Sequence, residues 1–336
     1  MENLLLKFYT FTLIAGISVL TTAHAGATVK LTALGSHNGE MCRYDRAMLF
    51  QDPNGTTLLF DAGRTVAGAN DMRLPQKLDV VLVSSVHGDH QGDRRIPKEG
   101  AGTCAAPDFS VKTVPSSNSV EIAAGKKANI VGAGQMRAYF SPRLAAAGAS
   151  EDEAKRLAKR VRPGGKLDFN GVKVTAIPTV HSNGADPAFV LDPQLSAALN
   201  KSGLTAYAGP DSGFVITFTN GLVAYLSADT GHTSDMETLV RRYYRARLAI
   251  VNMGDVNTMG PEEAAWAVNE LIKPKAVIPT HANEESTRNG KPVPGSKVAK
   301  FMQSVDDEIT VHLPLSGVTM EFDAGGKCVK GCELQK

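Results

Sequence analysis

The sequence predicts an α+β protein in which two mixed β-sheets pack face to face with helices outside, a four-layered αβ/βα sandwich. Three observations carry this. Short apolar runs of strand length recur through the chain, several grouped as hairpins. Helix signals are interspersed among them rather than strictly alternating. Histidines and aspartates stand just after strand-like runs in both halves, as they would if strand ends met along one edge.

The first 25 residues stand apart. Lys7 precedes an apolar stretch over 8–20, and Ala23-His24-Ala25 places small residues at the spacing of a signal-peptidase site, so cleavage is expected after Ala25. The apolar run is short against the roughly 20 residues of a membrane span, and no cysteine follows it to carry a lipid. The mature chain is expected to be periplasmic or secreted, without a stable membrane anchor.

Strand-like runs follow at 27–34, 46–51, 56–60 and 80–84. An irregular Gly-, Pro- and Ser-rich stretch covers 94–118 and is the candidate for a substrate-shaping loop. Strands are expected near 120–122 and 128–131. A helix over 150–161 has Ser150 as N-cap and Glu153 completing a capping box. In the second half, 172–178 reads as a strand, and 213–219 with 222–227 as a hairpin around Asn220-Gly221. Further strands fall at 248–252, 275–279, 309–313 and 318–322. Helices are expected over 261–272, with Pro261 at its first position, and 297–305. Residues 26–324 form the main domain and 325–336 a C-terminal tail.

The most informative run is Ser85-Val86-His87-Gly88-Asp89-His90-Gln91-Gly92-Asp93, directly after an apolar strand. A turn there lets His87, Asp89 and His90 point to a common centre, as ligands of a borderline metal such as zinc do. His181, Asp229 and His281 each lie just after later strands and complete a set of six candidate ligands. His232, three residues beyond Asp229, is a candidate proton donor, weighed against an exposed loop histidine. His37, on the loop after the first strand, is a candidate for the rim of the site. His24 leaves with the signal peptide, and His312 is assigned a structural place in a late strand.

Cys42, Cys104, Cys328 and Cys332 are an even count in a chain expected to be exported, which suggests two disulfides. The preferred pairing is Cys42 with Cys104, joining loops near the metal cluster, and Cys328 with Cys332, stapling the tail. A net charge of +2, with no basic run interleaved with aromatics, gives no case for nucleic-acid binding. A chain with 43% apolar residues is able to bury a large core. Nothing here fixes the oligomeric state.

With these residues in view, the chain resembles the metallo-β-lactamase superfamily, whose signature turn is His-x-His-x-Asp-His followed by distant His, Asp and His. Its second half is similar to the L-ascorbate-6-phosphate lactonase-like hydrolases over 213–218, 227–231, 258–265 and 273–281. Residues 58–63 also fit, and there the resemblance implies that Asp61 supports the metal loop. It implies the metallo-β-lactamase fold for 26–324 and a hydrolase with one or two zinc ions, manganese or iron being the alternatives.

One departure matters. The motif's first histidine falls on Ser85, whose hydroxyl is a poor zinc ligand beside an imidazole. The resemblance then implies a complete site of Asp89, His90, Asp229 and His281, filled first, and a weaker one of His87, His181 and Asp229. Water made acidic by the metals would attack a small ester, lactone or amide, with Asp89 orienting the nucleophile. The alternatives are a β-lactamase, a phosphodiesterase favoured by Arg94, Arg95 and Lys98, and a non-catalytic metal-binding protein with a degenerate site.

Overall fold

The computed structural model describes residues 26–134 and 136–332; the expected signal peptide lies outside the described residues. The first half contributes β1 (Val29–Ala33), β2 (Met48–Gln51), β3 (Thr57–Phe60), β4 (Val80–Leu82), β5 (Asn129–Ala133) and β6 (Ala158–Val161). The second contributes β7 (Lys166–Phe169), β8 (Val172–Pro178), β9 (Ser212–Thr217), β10 (Val223–Leu226), β11 (Leu248–Asn252), β12 (Ala276–Thr280) and β13 (Thr310–Val311). The chain closes with β14 (Thr319–Phe322) and β15 (Cys328–Lys330). One sheet has eight strands in the order β15-β14-β1-β2-β3-β4-β5-β6; the other has seven, β13-β12-β11-β10-β9-β8-β7. Both are mixed, as the sequence predicts.

Every residue of β3, β4, β11 and β12 is buried. Successive side chains of a strand point to opposite faces, so such strands must be covered on both sides. Leu58, Phe60, Val80 and Leu82 meet Val174, Phe214, Ile216 and Ile278 between the sheets. Leu59 and Val81 point the other way, onto Val120, Ile122, Phe140 and Leu157 of the outer helices. Beyond the second sheet, Val215, Tyr225 and Val251 pack on Met236, Val268 and Phe301. Three apolar layers thus hold four structural ones together.

Several expectations need correction. Residues 120–122 belong to the helix Asn118–Lys126, whose first turn is capped by the Ser117 side chain accepting the Val120 N–H. Two β-branched residues two positions apart imitate strand alternation, whereas here both are buried in the layer between the first sheet and its outer helices. The helix over 150–161 starts as expected, Ser150 capping the Glu153 N–H, but ends at Leu157; the next four residues are β6, the edge of the first sheet. The helices Met136–Ala146, Pro193–Ser202 and Met236–Tyr244 had no counterpart in the sequence reading. The 94–118 stretch is not wholly irregular, since Arg94–Arg95 pairs with Val111–Lys112. The tail carries β15, and His312 follows β13 with its ring edge-on to Phe322.

Strand direction decides where the chemistry gathers. β8 and β10 both run antiparallel to β9, and β10, β11 and β12 run parallel to one another. The C-terminal ends of β8, β10 and β12 therefore share one edge, and the residues beyond them include His181, Asp229 and His281. Across from that edge, β4 runs into the 85–93 turn. The Ser212 N–H donates to the Ser84 carbonyl (3.3 Å), joining the two sheets at this point.

Candidate metal centre

The turn after β4 is wound around the short helix Gly88–Gln91. The His87 carbonyl accepts the N–H groups of His90 (3.0 Å) and Gln91 (3.1 Å), and the Ser85 hydroxyl accepts the His87 N–H (3.1 Å). Gly92 closes the turn at φ 79°, its N–H on the Gly88 carbonyl. A side chain at 92 would collide with the Gly63 carbonyl, so both backbone angle and space call for glycine.

Two groups of donors result. Ligand atoms of His87, His181 and Asp229 lie within 4.8 Å of one another, as do those of Asp89, His90 and His281. Asp229 spans both. Its Oδ2 is 3.0 Å from His90 Nε2 and 3.8 Å from His181 Nε2, while its Oδ1 is 3.3 Å from His281 Nε2. The His87 and His181 rings meet edge-on at 5.1 Å, and those of His90 and His281 stack at 5.4 Å. All six residues singled out as ligands come together here. Asp61, Ala228 and His281, which turn the chain at strand ends around this centre, adopt left-handed backbone with φ of 41°, 55° and 57°.

The second group is braced from behind. Asp61, buried, lies 2.8 Å from His90 Nδ1 and accepts the Ser84 N–H (2.9 Å) and hydroxyl (2.6 Å). A carboxylate at Nδ1 keeps the proton there and leaves Nε2 as the metal-facing atom. Arg46, buried beneath the site, places Nη2 2.9 Å from Asp89 Oδ2 and donates to Asn283 Oδ1 (3.3 Å). Asn283 Nδ2 lies 3.4 Å from His281 Nδ1. Sequence reasoning missed both Arg46 and Asn283. The available signal for the first was a charged residue opening an otherwise apolar strand run.

Electrostatics separate the groups. Burial opposes charge on His90, but Asp229, with Asp61 and Asp89, holds the ring well above the ordinary histidine range. Burial likewise opposes ionisation of Asp229 and Asp89, yet His90 and His281 beside the one, and Arg46 and His90 beside the other, hold both well below the usual carboxylate range. His87 and His181 are pushed down, chiefly by burial, and so stay neutral, the form in which imidazole ligates metal.

The residues fit a divalent cation. Asp229 Oδ1 and His281 Nε2 are buried without a hydrogen bond, which is costly unless something else satisfies them. A set of imidazole nitrogens and carboxylate oxygens suits zinc, manganese or iron.

The remaining candidates lie elsewhere. His232 is exposed, edge-on to Trp266 at 5.0 Å, with Nε2 3.1 Å from the Glu263 carbonyl. His37 sits 3.1 Å from the Ser36 hydroxyl and 3.4 Å from the Gly102 carbonyl, bonding the 94–118 stretch. Cys42 and Cys104 form a disulfide (2.05 Å) that ties that stretch to the loop after β1, and Cys328 is joined to Cys332. Beneath this loop Asp45 accepts the N–H groups of Ser36 (2.8 Å) and Cys42 (2.7 Å), yet burial pushes its carboxyl up to about 6. A cleft of about 430 Å³ opens beside the metal turn, lined by Arg43, Tyr44, Arg64, Asp93, Arg94 and Phe109. Arg64 pairs with Asp93 at 2.7 Å, leaving Arg43 and Arg94 to set the sign of the cleft. Arg95 instead pairs with Glu121 (3.3 Å).

One further acid was missed by the sequence reading. Asp211, just before β9, is 2% exposed, and neither carboxylate oxygen makes a hydrogen bond of ordinary geometry. Burial pushes its carboxyl up to about 8 against the pull of His90 and the Ser85 hydroxyl, and Asp229 and Asp61 add to the rise.

Residues 45–281 match a family model described as a beta-lactamase superfamily domain. A UPF0173 metal-dependent hydrolase of Koribacter versatilis is 27% identical over 257 residues, 76% of this chain and 87% of that protein. Another, from Pelotomaculum thermopropionicum, is 33% identical over 207 residues, 62% of this chain and 68% of its own. Among solved structures, Igni18, a metallo hydrolase of Ignicoccus hospitalis, aligns with a TM-score of 0.56 at 20% identity, covering 88% of this chain and 99% of that one.

Proposed function

Because this chain belongs to the beta-lactamase superfamily and is a metal-dependent hydrolase, we propose that it is an exported enzyme acting on small esters, lactones or amides. The centre would hold one or two divalent cations, with zinc the leading candidate and manganese or iron the alternatives. The observation that carries the reading is Asp229, buried between two donor groups and reaching rings of both.

A cation held by these residues would lower the pKa of water from about 15.7 to about 7 and would polarise the oxygen of a scissile group. The chain's own residues do the positioning. Asp61 fixes the His90 ring, Arg46 pins Asp89, and Asp229 keeps the two groups in register. The cleft beside the turn adds a substrate preference. Arg43 and Arg94 in its lining favour a substrate with an anionic group. The same arginines support a second reading, phosphodiester hydrolysis.

Export rests on the signal-like segment over 1–25 and is in keeping with two disulfides, which persist in oxidising compartments. Metal content by elemental analysis, run beside hydrolysis of a lactone, a β-lactam and a phosphodiester, tests the reading. One or two ions per chain with lactone turnover is the expected result. Turnover of the phosphodiester alone would move the assignment to the second reading, and turnover of the β-lactam alone to a β-lactamase. No turnover in metal-loaded protein would overturn all three.

A further inference from the structure

The two donor groups share Asp229, but they are not equally complete. The second has Asp89, His90 and His281 beside the shared carboxylate; the first has only His87 and His181. The missing donor is the one that Ser85 displaces. A serine side chain stops one atom beyond Cβ, far short of the reach of an imidazole, and the Ser85 hydroxyl is already engaged by the His87 N–H at 3.1 Å.

Asp211 stands against that position. Its carboxyl lies beside the Ser85 hydroxyl and within the field of His90 and Asp229. Its approach is fixed by backbone contacts rather than by its own side chain. The next residue, Ser212, donates its N–H to the Ser84 carbonyl (3.3 Å). Asn183 donates to the Gly209 carbonyl (2.6 Å) and accepts the Val86 N–H (3.1 Å), so one amide fastens the loop before Asp211 to the loop after Ser85. Asn183 itself is two residues past His181. The frame around Asp211 is thus bonded to two segments that supply the first group. Within it the carboxyl is 2% exposed, and neither oxygen makes a hydrogen bond of ordinary geometry. A buried carboxyl without a partner keeps its proton unless a cation takes that proton's place.

We propose that Asp211 supplies the first group with the ligand that Ser85 cannot, so that this cation is held by His87, His181, Asp229 and Asp211. The substitution is one of element as well as of residue: a carboxylate oxygen replaces an imidazole nitrogen. The first position then offers two nitrogens and two carboxylates, as the second already does, a harder and more anionic set than the signature motif gives there. Such a set shifts preference from zinc toward manganese or iron. The inference rests on the metal-dependent reading above.

The test is metal binding by the full-length mature protein, stripped and then reloaded with Zn²⁺ or Mn²⁺, dialysed, and measured by elemental analysis and chelator competition. Asp211→Asn keeps the shape and removes the anionic donor; circular dichroism confirms that it folds. The expected result is two ions in the wild type and one in Asp211→Asn, with the second at least about 100-fold weaker. Ser85→His combined with Asp211→Ala should recover two ions, with the balance moved toward zinc. Equal stoichiometry and affinity in wild type and Asp211→Asn, whether at one ion or two, would overturn the role of Asp211 and leave the hydrolase reading standing. No tightly bound ion in either protein would overturn both.

Discussion

The two donor groups around Asp229 are built to different standards. Behind Asp89, His90 and His281 stand Asp61, Arg46 and Asn283, each within 3.4 Å of one of the three. Behind His87 and His181 no comparable carboxylate or arginine is bonded to a ring among the described residues, and both rings are partly exposed. The difference is one of preparation. The second group is charged and held in place before any cation arrives, with His90 protonated between Asp61 and Asp229. The first keeps neutral imidazoles at the open side. Binding at the second group must displace a proton, so its affinity rises with pH, while the first binds without that competition but with less preorganisation.

The most severe way to break this comparison is to remove a donor from the braced group. His281→Ala is expected to lose the ion of the braced group and to reduce hydrolysis to background, measured by elemental analysis and turnover under limiting metal. Full activity in that variant would mean that the unbraced group does the chemistry.

Next in size is the bracing itself. Asp61→Asn keeps the volume but removes the charge that orients His90, and losses at such positions run to about 10–100-fold in metal affinity or activity. Chelator competition on the variant would show this as a loss confined to one ion. An equal loss at both ions would mean that the two groups are coupled too tightly to be ranked.

A different readout, folding stability, reports on the floor beneath Arg46. The Asp45 carboxyl is raised by burial to about 6, above its unfolded value near 3.8. Between about pH 4 and 6 the folded chain therefore keeps a proton that the unfolded chain has lost, so stability falls as pH rises through that window and levels off above it. Relative to Asp45→Asn, which cannot titrate, the wild type should lose on the order of 3 kcal/mol across the window. Denaturant melts of both proteins at pH 4, 5, 6 and 7 would reveal a constant gap instead if Asp45 ionises normally.

The smallest expected change is at His232. Its ring rests on Trp266 at the surface, and His232→Gln should leave turnover within about twofold, as exposed substitutions do. A drop beyond tenfold, with metal content unchanged, would restore it as the proton donor to the leaving group.

The ligands were legible because their signal is local. Four of the six positions can be read from a strand run followed at once by a His or Asp, and the 87–90 turn is a motif in itself. The supports were not legible, because they are made by tertiary contact. Arg46 and Asp89 are 43 positions apart, and nothing near either names the other. Asp211 sits in Gly209-Pro210-Asp211-Ser212-Gly213, a composition that reads as a turn; only its burial against Ser85 sets it apart. The helix at Asn118–Lys126 was misread for the converse reason. Its local pattern is that of a strand, and its place is decided by the burial of Val120 and Ile122 in the layer between the first sheet and its outer helices.

Asp61, Ala228 and His281 bend the chain at the site against the preference of their own side chains. Left-handed backbone at a residue other than glycine costs about 1 kcal/mol or more, and these positions flank or supply the donors. Heat tolerance and reactivity are thereby set against each other along one edge of the molecule. An engineer seeking a more durable protein has a tempting place to start in Ala228→Gly, which touches no donor. The same change would loosen the hinge that aims Asp229, so durability is better sought in strands far from that edge.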